Sequence, residues 1–200
     1  MVTEGPFLIS FDQTLRKELV RKTLHISIAL VPLLARFNFV FTVLCLSVGS
    51  LFYIVNELAR LNGHARGFIS SVTMMAARPM EKGFIWGPVT LALGAMSALI
   101  YYPHPAASVA IYAVAFGDGL ASLAGKFWRR KNITLPTGKT LIGSITCFLA
   151  VLISSLFVLN QILPALAAAA TATLLETLPL KDGDNLVIPL GTGLLIFMIV

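Results

Sequence analysis

Apolar runs near residues 22–37, 39–58, 84–102, 105–125, 140–160, 162–180 and 185–200 are separated by short polar breaks. A bilayer-spanning helix needs roughly 20 mainly apolar residues. The pattern therefore predicts an all-α, polytopic membrane bundle of about seven transmembrane helices, or six without the last. The first and last runs are short. Residues 1–200 are expected to form a single membrane-embedded domain, with a juxtamembrane approach over 1–21, a bundle over 22–200 and polar loops at 59–83, 126–139 and 181–184. Ahead of the bundle, residues 8–24 read as an amphipathic helix. Leu8, Phe11, Leu15, Leu19 and Val20 would lie on the bilayer, with Arg16, Lys17, Arg21 and Lys22 towards water and headgroups. An ordinary basic flank accounts for the same residues equally well.

Composition agrees with the pattern. Of 200 residues, 57 % are hydrophobic and only 12 % charged, where a soluble domain carries about a quarter charged. The mean hydropathy is +0.87. The N-terminal stretch contains acids and lacks a long apolar core before its basic run, so it does not resemble a signal peptide. Cys45 and Cys147 fall in separate apolar runs without a CxxC partner, and His25, His64 and His104 share no metal-ligand spacing.

Charge gives the expected orientation. With the N-terminus inside, all of the 15 Lys and Arg except Arg36 fall on the cytoplasmic side, as the positive-inside rule asks. Glu18, Glu57, Glu81, Asp118, Glu176, Asp182 and Asp184 fall in the same inner loops or at inner span ends, whereas the outer connections "YYPHP" and "LNQILP" contain no acid. Ionisable groups close to the hydrocarbon are costly and usually functional. The basic excess of this face is ordinary topology or an attraction for an anionic substrate or lipid. Nucleic acid is not an expected partner, because no aromatic-interleaved basic domain lies outside the apolar runs.

Three stretches carry candidate chemistry. In "AFGDGLASLAGKFWRRKNITLPTGKTLIGS", Asp118 stands between Gly117 and Gly119 and is followed by Ala121, Ser122, Ala124 and Gly125. Small residues at this spacing let a helix or a phosphate approach the backbone. A glycine-rich helix contact explains the glycines but leaves Asp118 without a role. Lys126 and Lys139 bracket the basic run that follows, before Thr140 opens the next span. Lysines, glycine amides and a helix N-terminus suit a polyphosphate. The stretch is not a Walker loop, since GxxxxGK[ST] ending at Thr140 would need glycine where Ile133 stands. "RKELVRKTLH" places Glu18, Arg21, Lys22 and His25 at the first span, with Arg21 and His25 four apart on one helical face; a topology anchor is the plainer reading. "ETLPLKDGDNLVIP" offers Glu176, Asp182, Asp184 and Asn185, hard oxygen donors suited to Mg²⁺ and bridged phosphates, or simply a hydrophilic turn. Glu57 and Arg60 close the second span and form a fourth pair.

Together these residues resemble the CTP-dependent polyprenol and lipid kinases: dolichol kinase, phytol kinase and the CTP-dependent diacylglycerol kinase of fungi. The nucleotide motif of that family has the form DxxAxxxGxxxGx(8)KKTxEG. Asp118, Ala121, Gly125, Lys139, Thr140 and Gly143 match it with the full spacing, while Arg129, Gly138 and Ile142 replace a glycine, a lysine and a glutamate. Gly143–Ser144 keep the GS found in several relatives. "ELVRKTLH" is similar to the family's ExxRKxxH, "NELAR" to its acidic-basic helix end and "GDNLVIPL" to its DN-x-x-x-P element. The likeness runs from about residue 18 to 190.

The resemblance implies transfer of the γ-phosphate of CTP to the hydroxyl of a lipid alcohol (a polyprenol, a phytol-like prenol or diacylglycerol) at the cytoplasmic face, with Mg²⁺ or another divalent cation. It implies Asp118, Asp184 and Glu176 as catalytic candidates, with Asp118 and Asp184 on the metal. Lys126, Lys139, Arg21, Lys22 and His25 would meet phosphates. Gly117, Ala121, Ser122, Gly125, Thr140, Gly143, Ser144 and Asn185 would complete a nucleotide site. Glu18, Glu57, Arg60 and Asp182 are weaker candidates. The acceptor would arrive laterally, between spans lined by small residues such as Gly94, Ala95 and the run "ALAAAATAT". A homo-oligomer stays open.

Other classes make different demands. A cytidylyltransferase of the CDP-diacylglycerol synthase type would share the acidic face but release pyrophosphate; its Lys-Arg…Lys-Asp and His-Gly-Gly…Asp-Arg signature is not found here. A transporter of an anionic solute should carry ionisable groups at the midplane or at both mouths. A membrane scaffold would leave the one-sided acids unexplained.

Overall fold

The computed structural model describes residues 18–64, 83–128 and 133–200. The upstream part of the amphipathic helix expected over 8–24, most of loop 59–83, and Arg129–Asn132 lie outside the described residues. What is described is helical, apart from loops and one antiparallel bridge between Thr134 and Thr140.

Each apolar run becomes a helical rod. The first is α1 (18–26), continued through a 3₁₀ turn, Ser27–Leu30, into α2 (Val31–Phe37), where Pro32 occupies the first turn. Proline is tolerated there because those N–H groups have no helical partner. Then follow α3 (Phe39–Leu61), α4 (Gly87–Tyr101) and α5 (Ala106–Tyr112). α5 passes through a π-helical turn, Ala113–Asp118, into α6 (Gly119–Phe127). The chain closes with α7 (Leu141–Leu159), α8 (Ile162–Glu176) and α9 (Asp184–Ile199). The breaks have local causes. Asn38 accepts from Phe41 N at 2.9 Å and caps α3, Thr140 accepts from Gly143 N at 3.2 Å and caps α7, and Asn160 ends α7 in the left-handed region at φ 53°.

Four of these rods are long and apolar enough to cross a membrane: Phe39–Leu61, Ala106–Phe127, Leu141–Leu159 and Lys181–Ile199. Helices α4 and α8 have 15 residues each, about 22 Å at 1.5 Å per residue against a hydrocarbon core of about 30 Å. Of the six to seven transmembrane helices expected, four have the length and apolarity of a full span among the described residues. The runs are present as helices, but two are short and the first is divided by its 3₁₀ turn.

The rod Ala106–Phe127 lies at the centre, with 72 % of its 18-residue apolar stretch buried, against only 6 % of the corresponding stretch of Phe39–Leu61. Small side chains make the central packing possible. Ala106, Val109, Ala113, Val114 and Ala121 meet Cys147 and Val151 of α7, Ala168, Ala169 and Ala172 of α8, and Ile188 and Ile196 of α9. Without a hydrophobic drive between helices in lipid, association depends on such close approach. Ala95 and the alanines 165, 168, 169 and 172 are fully buried. They bring helices together, which removes them from the expected lateral path of a lipid. The outward face of α3 instead offers Phe41, Leu44, Val48, Leu51, Phe52 and Val55 to the surroundings.

Candidate functional site

Consecutive rods run up and down, so the ends near residues 18, 61, 87, 127, 141, 176 and 184 gather on one side of the bundle. The hydrogen bonds show it directly, because Glu18 meets Lys126, Lys22 meets Asp118, Lys139 meets Asp184, and Asn185 meets Thr90. Three polar centres result.

The first joins α1 to α6. Asp118 ends the π-helical turn and is 5 % exposed. Its Oδ2 accepts from Lys22 Nζ at 2.6 Å and lies 3.4 Å from His25 Nε2. His25 Nε2 is also 2.9 Å from the Val114 carbonyl. A carbonyl and a carboxylate only accept, so that nitrogen carries the hydrogen. Ser122 Oγ reaches Asp118 Oδ1 at 3.5 Å. Glu18 binds Arg21 through Oε1 at 2.6 Å and Lys126 through Oε2. Burial raises the Glu18 carboxyl, but Arg21 and Lys126 outweigh it and hold the group below its ordinary range. Leaving His25 aside, three cations (Arg21, Lys22 and Lys126) face two acids (Glu18 and Asp118). The π-helical turn widens the helix just before Asp118, a distortion common at functional positions. α1 can lie this close because residue 119 is glycine: a Cβ there would stand 2.8 Å from Ile26 Cγ1.

The second centre is assembled by a small hairpin. Leu135 N donates to Lys139 O at 2.8 Å, Leu141 N to Ile133 O at 3.0 Å, and Gly138 N to Leu135 O at 2.9 Å. Gly138 takes φ +83°, the left-handed position that glycine accepts without strain. This turn delivers Lys139 Nζ between Glu176 Oε1, at 3.0 Å, and Asp184 Oδ2, at 2.9 Å. Burial pulls the Lys139 ammonium down, but the two carboxylates overcome it and hold its pKa above the ordinary lysine value. Here two acids face one cation. Glu176 Oε2 and Asp184 Oδ1 are buried without a hydrogen-bond partner.

The third centre fastens the start of α4. Glu57 Oε1 accepts from Ile85 N at 2.9 Å and from Arg60 at 2.7 Å, and Arg60 donates to Gly83 O at 2.8 Å. Asn185 Nδ2 donates to Thr90 Oγ1 at 2.9 Å and to Gly87 O at 3.2 Å. Asp182 lies beside Gly87, where a Cβ would stand 3.8 Å from its Oδ1.

Most of the residues singled out from the sequence therefore share one end of the molecule, divided among these centres. The glycines have an additional, packing role. A Cβ at Gly125 would lie 2.5 Å from Thr140 Oγ1, one at Gly143 3.1 Å from the Ala121 carbonyl, and one at Gly117 2.8 Å from Val151 Cγ2. Ala121, Gly125, Thr140 and Gly143 thus form one continuous contact between α6 and the start of α7. Gly94 is filled by the Asn185 carbonyl, 1.9 Å from where its Cβ would be. Thr90 and the backbone of Gly87 were not foreshadowed by any motif, and only the docking of α9 on α4 brings them to Asn185.

Among the described residues, no three His, Cys, Asp or Glu side chains converge as a ready-made metal cage. A Mg²⁺ ion that keeps waters and substrate phosphates needs only one or two carboxylates, and the unpartnered oxygens of Glu176 and Asp184 fit that requirement. No family model, curated protein or solved structure matches this chain. The functional reading therefore stands on these residues.

Proposed function

We propose that the chain is a membrane lipid kinase that transfers the γ-phosphate of CTP to the hydroxyl of a lipid alcohol. In this reading all seven rods are membrane-embedded, the N-terminus is cytoplasmic and the polar end faces the cytoplasm. The observation that carries it is the convergence of segments 18–25, 118–126, 139–144 and 176–185, distant in sequence, at one end of an apolar helical bundle. A cationic centre and an acidic centre stand side by side there, as transfer of a polyphosphate group requires.

Arg21 and Lys126, beside Lys22 held on Asp118, supply the positive excess for phosphate oxygens. Glu176 and Asp184, with Asp118 in the adjoining centre, supply carboxylates, and Asn185 fixes the start of α9. A bound divalent cation would neutralise charge developing on the phosphates. As the lipid hydroxyl oxygen bonds to the γ-phosphorus, the bond to the β–γ bridging oxygen breaks and CDP leaves; the hydroxyl proton passes to a carboxylate of the cluster. The choice of CTP over ATP rests on the motif resemblance.

The test is transfer of γ-label from CTP or ATP to a panel of prenols and diacylglycerol, in detergent–lipid micelles with Mg²⁺. Wild type is expected to label a lipid and to prefer CTP, and Asp118→Asn to fall at least about 100-fold, the scale of a lost positioned acid–base or electrostatic group. Unlabelled lipid across the panel, or full activity in Asp118→Asn, overturns the reading.

A further inference from the structure

Glu176 and Asp184 are 3 % and 5 % exposed. Each gives one oxygen to Lys139 Nζ and leaves the other, Oε2 and Oδ1, buried without a partner. With both carboxylates ionised, one ammonium cannot neutralise them, and a net negative charge stays in the bundle. Buried, unpaired charge and unmade hydrogen bonds are expensive, which marks the place as one built for more positive charge than Lys139 brings. The side chain of Lys139 is 23 % exposed and stands on a hairpin, outside any helix. It can leave the two acids without moving a transmembrane rod.

The Asp118 carboxylate is in the opposite condition. It is matched by Lys22 at 2.6 Å, with His25 at 3.4 Å, inside a cluster whose net charge is already positive.

We propose that Lys139 is a resident counterion standing in for a divalent cation, which binds Glu176 and Asp184 in its place and frees the ammonium for the polyphosphate. Asp118 stays paired with Lys22 and is not a ligand of that cation. The cation-for-lysine exchange holds whatever the reaction; only the second use of the freed ammonium rests on the proposed kinase reading. The arrangement makes cation and polyphosphate binding mutually reinforcing, since each removes a reason for Lys139 to stay with the acids.

Mn²⁺ binding to the full chain in detergent–lipid micelles, followed by electron paramagnetic resonance, tests the exchange without any activity. Lys139→Gln is expected to bind Mn²⁺ alone at least about tenfold more tightly than wild type, because a competing charge is gone. Lys139→Arg keeps the charge and should stay close to wild type. Glu176→Gln and Asp184→Asn should lose binding, and Asp118→Asn should retain it. Inorganic tripolyphosphate should tighten Mn²⁺ binding to wild type beyond its effect in protein-free micelles, and Lys139→Gln should lose that gain. Equal Mn²⁺ affinity in Lys139→Gln and wild type, or loss in Asp118→Asn as complete as in Asp184→Asn, overturns the proposal. If Lys139→Gln does not fold, the comparison of Asp118→Asn with Asp184→Asn decides alone. Mn²⁺ exchange as described with no labelled lipid would sink the kinase reading and leave the cation site standing; labelled lipid with no exchange would do the reverse.

Discussion

The Lys22–Asp118 and Lys139–Asp184 centres use the same pair of residue types and reach opposite states. Lys22 and Asp118 are both nearly sealed, 5 % and 7 % exposed in their side chains, and come from two packed helices. Lys139 reaches its acids from a hairpin and keeps 23 % of its side chain exposed. The first pair is a joint that fixes α1 on the central rod. The second is a contact that can open. The lesson is that an ion pair at the end of an apolar helical bundle is defined by what holds its cation, a helix or a loop, more than by its distance.

The strongest way to break this contrast is to remove the cation from each centre. Lys22→Met leaves Asp118 buried and unpaired and should cost about 3–5 kcal/mol of stability, read as a fall in denaturation midpoint in micelles. With Mg²⁺ present, Lys139→Met should cost clearly less, because a divalent cation can take the place of the lost ammonium beside Glu176 and Asp184. Equal losses would erase the distinction. Next in size is Gly94→Ala, whose methyl would meet the Asn185 carbonyl. Overpacking of this kind costs about 1–3 kcal/mol, and by shifting the start of α9 it should lower label transfer more than the stability loss explains. Asn185→Ala removes the donors to Thr90 and Gly87 and should cost about 1 kcal/mol, the net worth of a typical hydrogen bond.

The smallest effect is a pH dependence. The folded pKa of Glu18 lies below its ordinary value, so its contribution is present above the unfolded pKa of about 4.3 and is lost as pH falls through the folded value. Glu18→Gln should flatten that acid limb of a stability profile. Lys139 is raised, so its contribution is full below about pH 10.4 and is lost as pH rises through the folded value. An alkaline limb missing from Lys139→Gln would show it.

The helical rods were legible because apolar runs of this length admit few other structures, and the gathering of acids at one end followed from alternating rods. The boundaries were less so. Capping by Asn38 and Thr140 and the 3₁₀ turn at Ser27–Leu30 depend on local geometry that an apolar run does not encode. At the site, the spacing from Asp118 to Gly143 pointed to a shared structure, and the structure makes it a contact between α6 and α7. The partners themselves were hidden. Nothing local to Lys22 announces Asp118, 96 residues away, and the smallness of Gly94 spoke for a lipid path until the Asn185 carbonyl was seen to fill it. Residues that serve packing and residues that serve chemistry share the same small-residue signature in a membrane, and only contacts separate them.

The most direct measurement of the central claim is the fate of each phosphate of CTP. Parallel reactions with α-labelled and γ-labelled CTP, Mg²⁺ and the lipid panel should place the γ-label in the lipid and leave the α-label in CDP. An α-label that enters the lipid while pyrophosphate is released would contradict the account and make the protein a cytidylyltransferase.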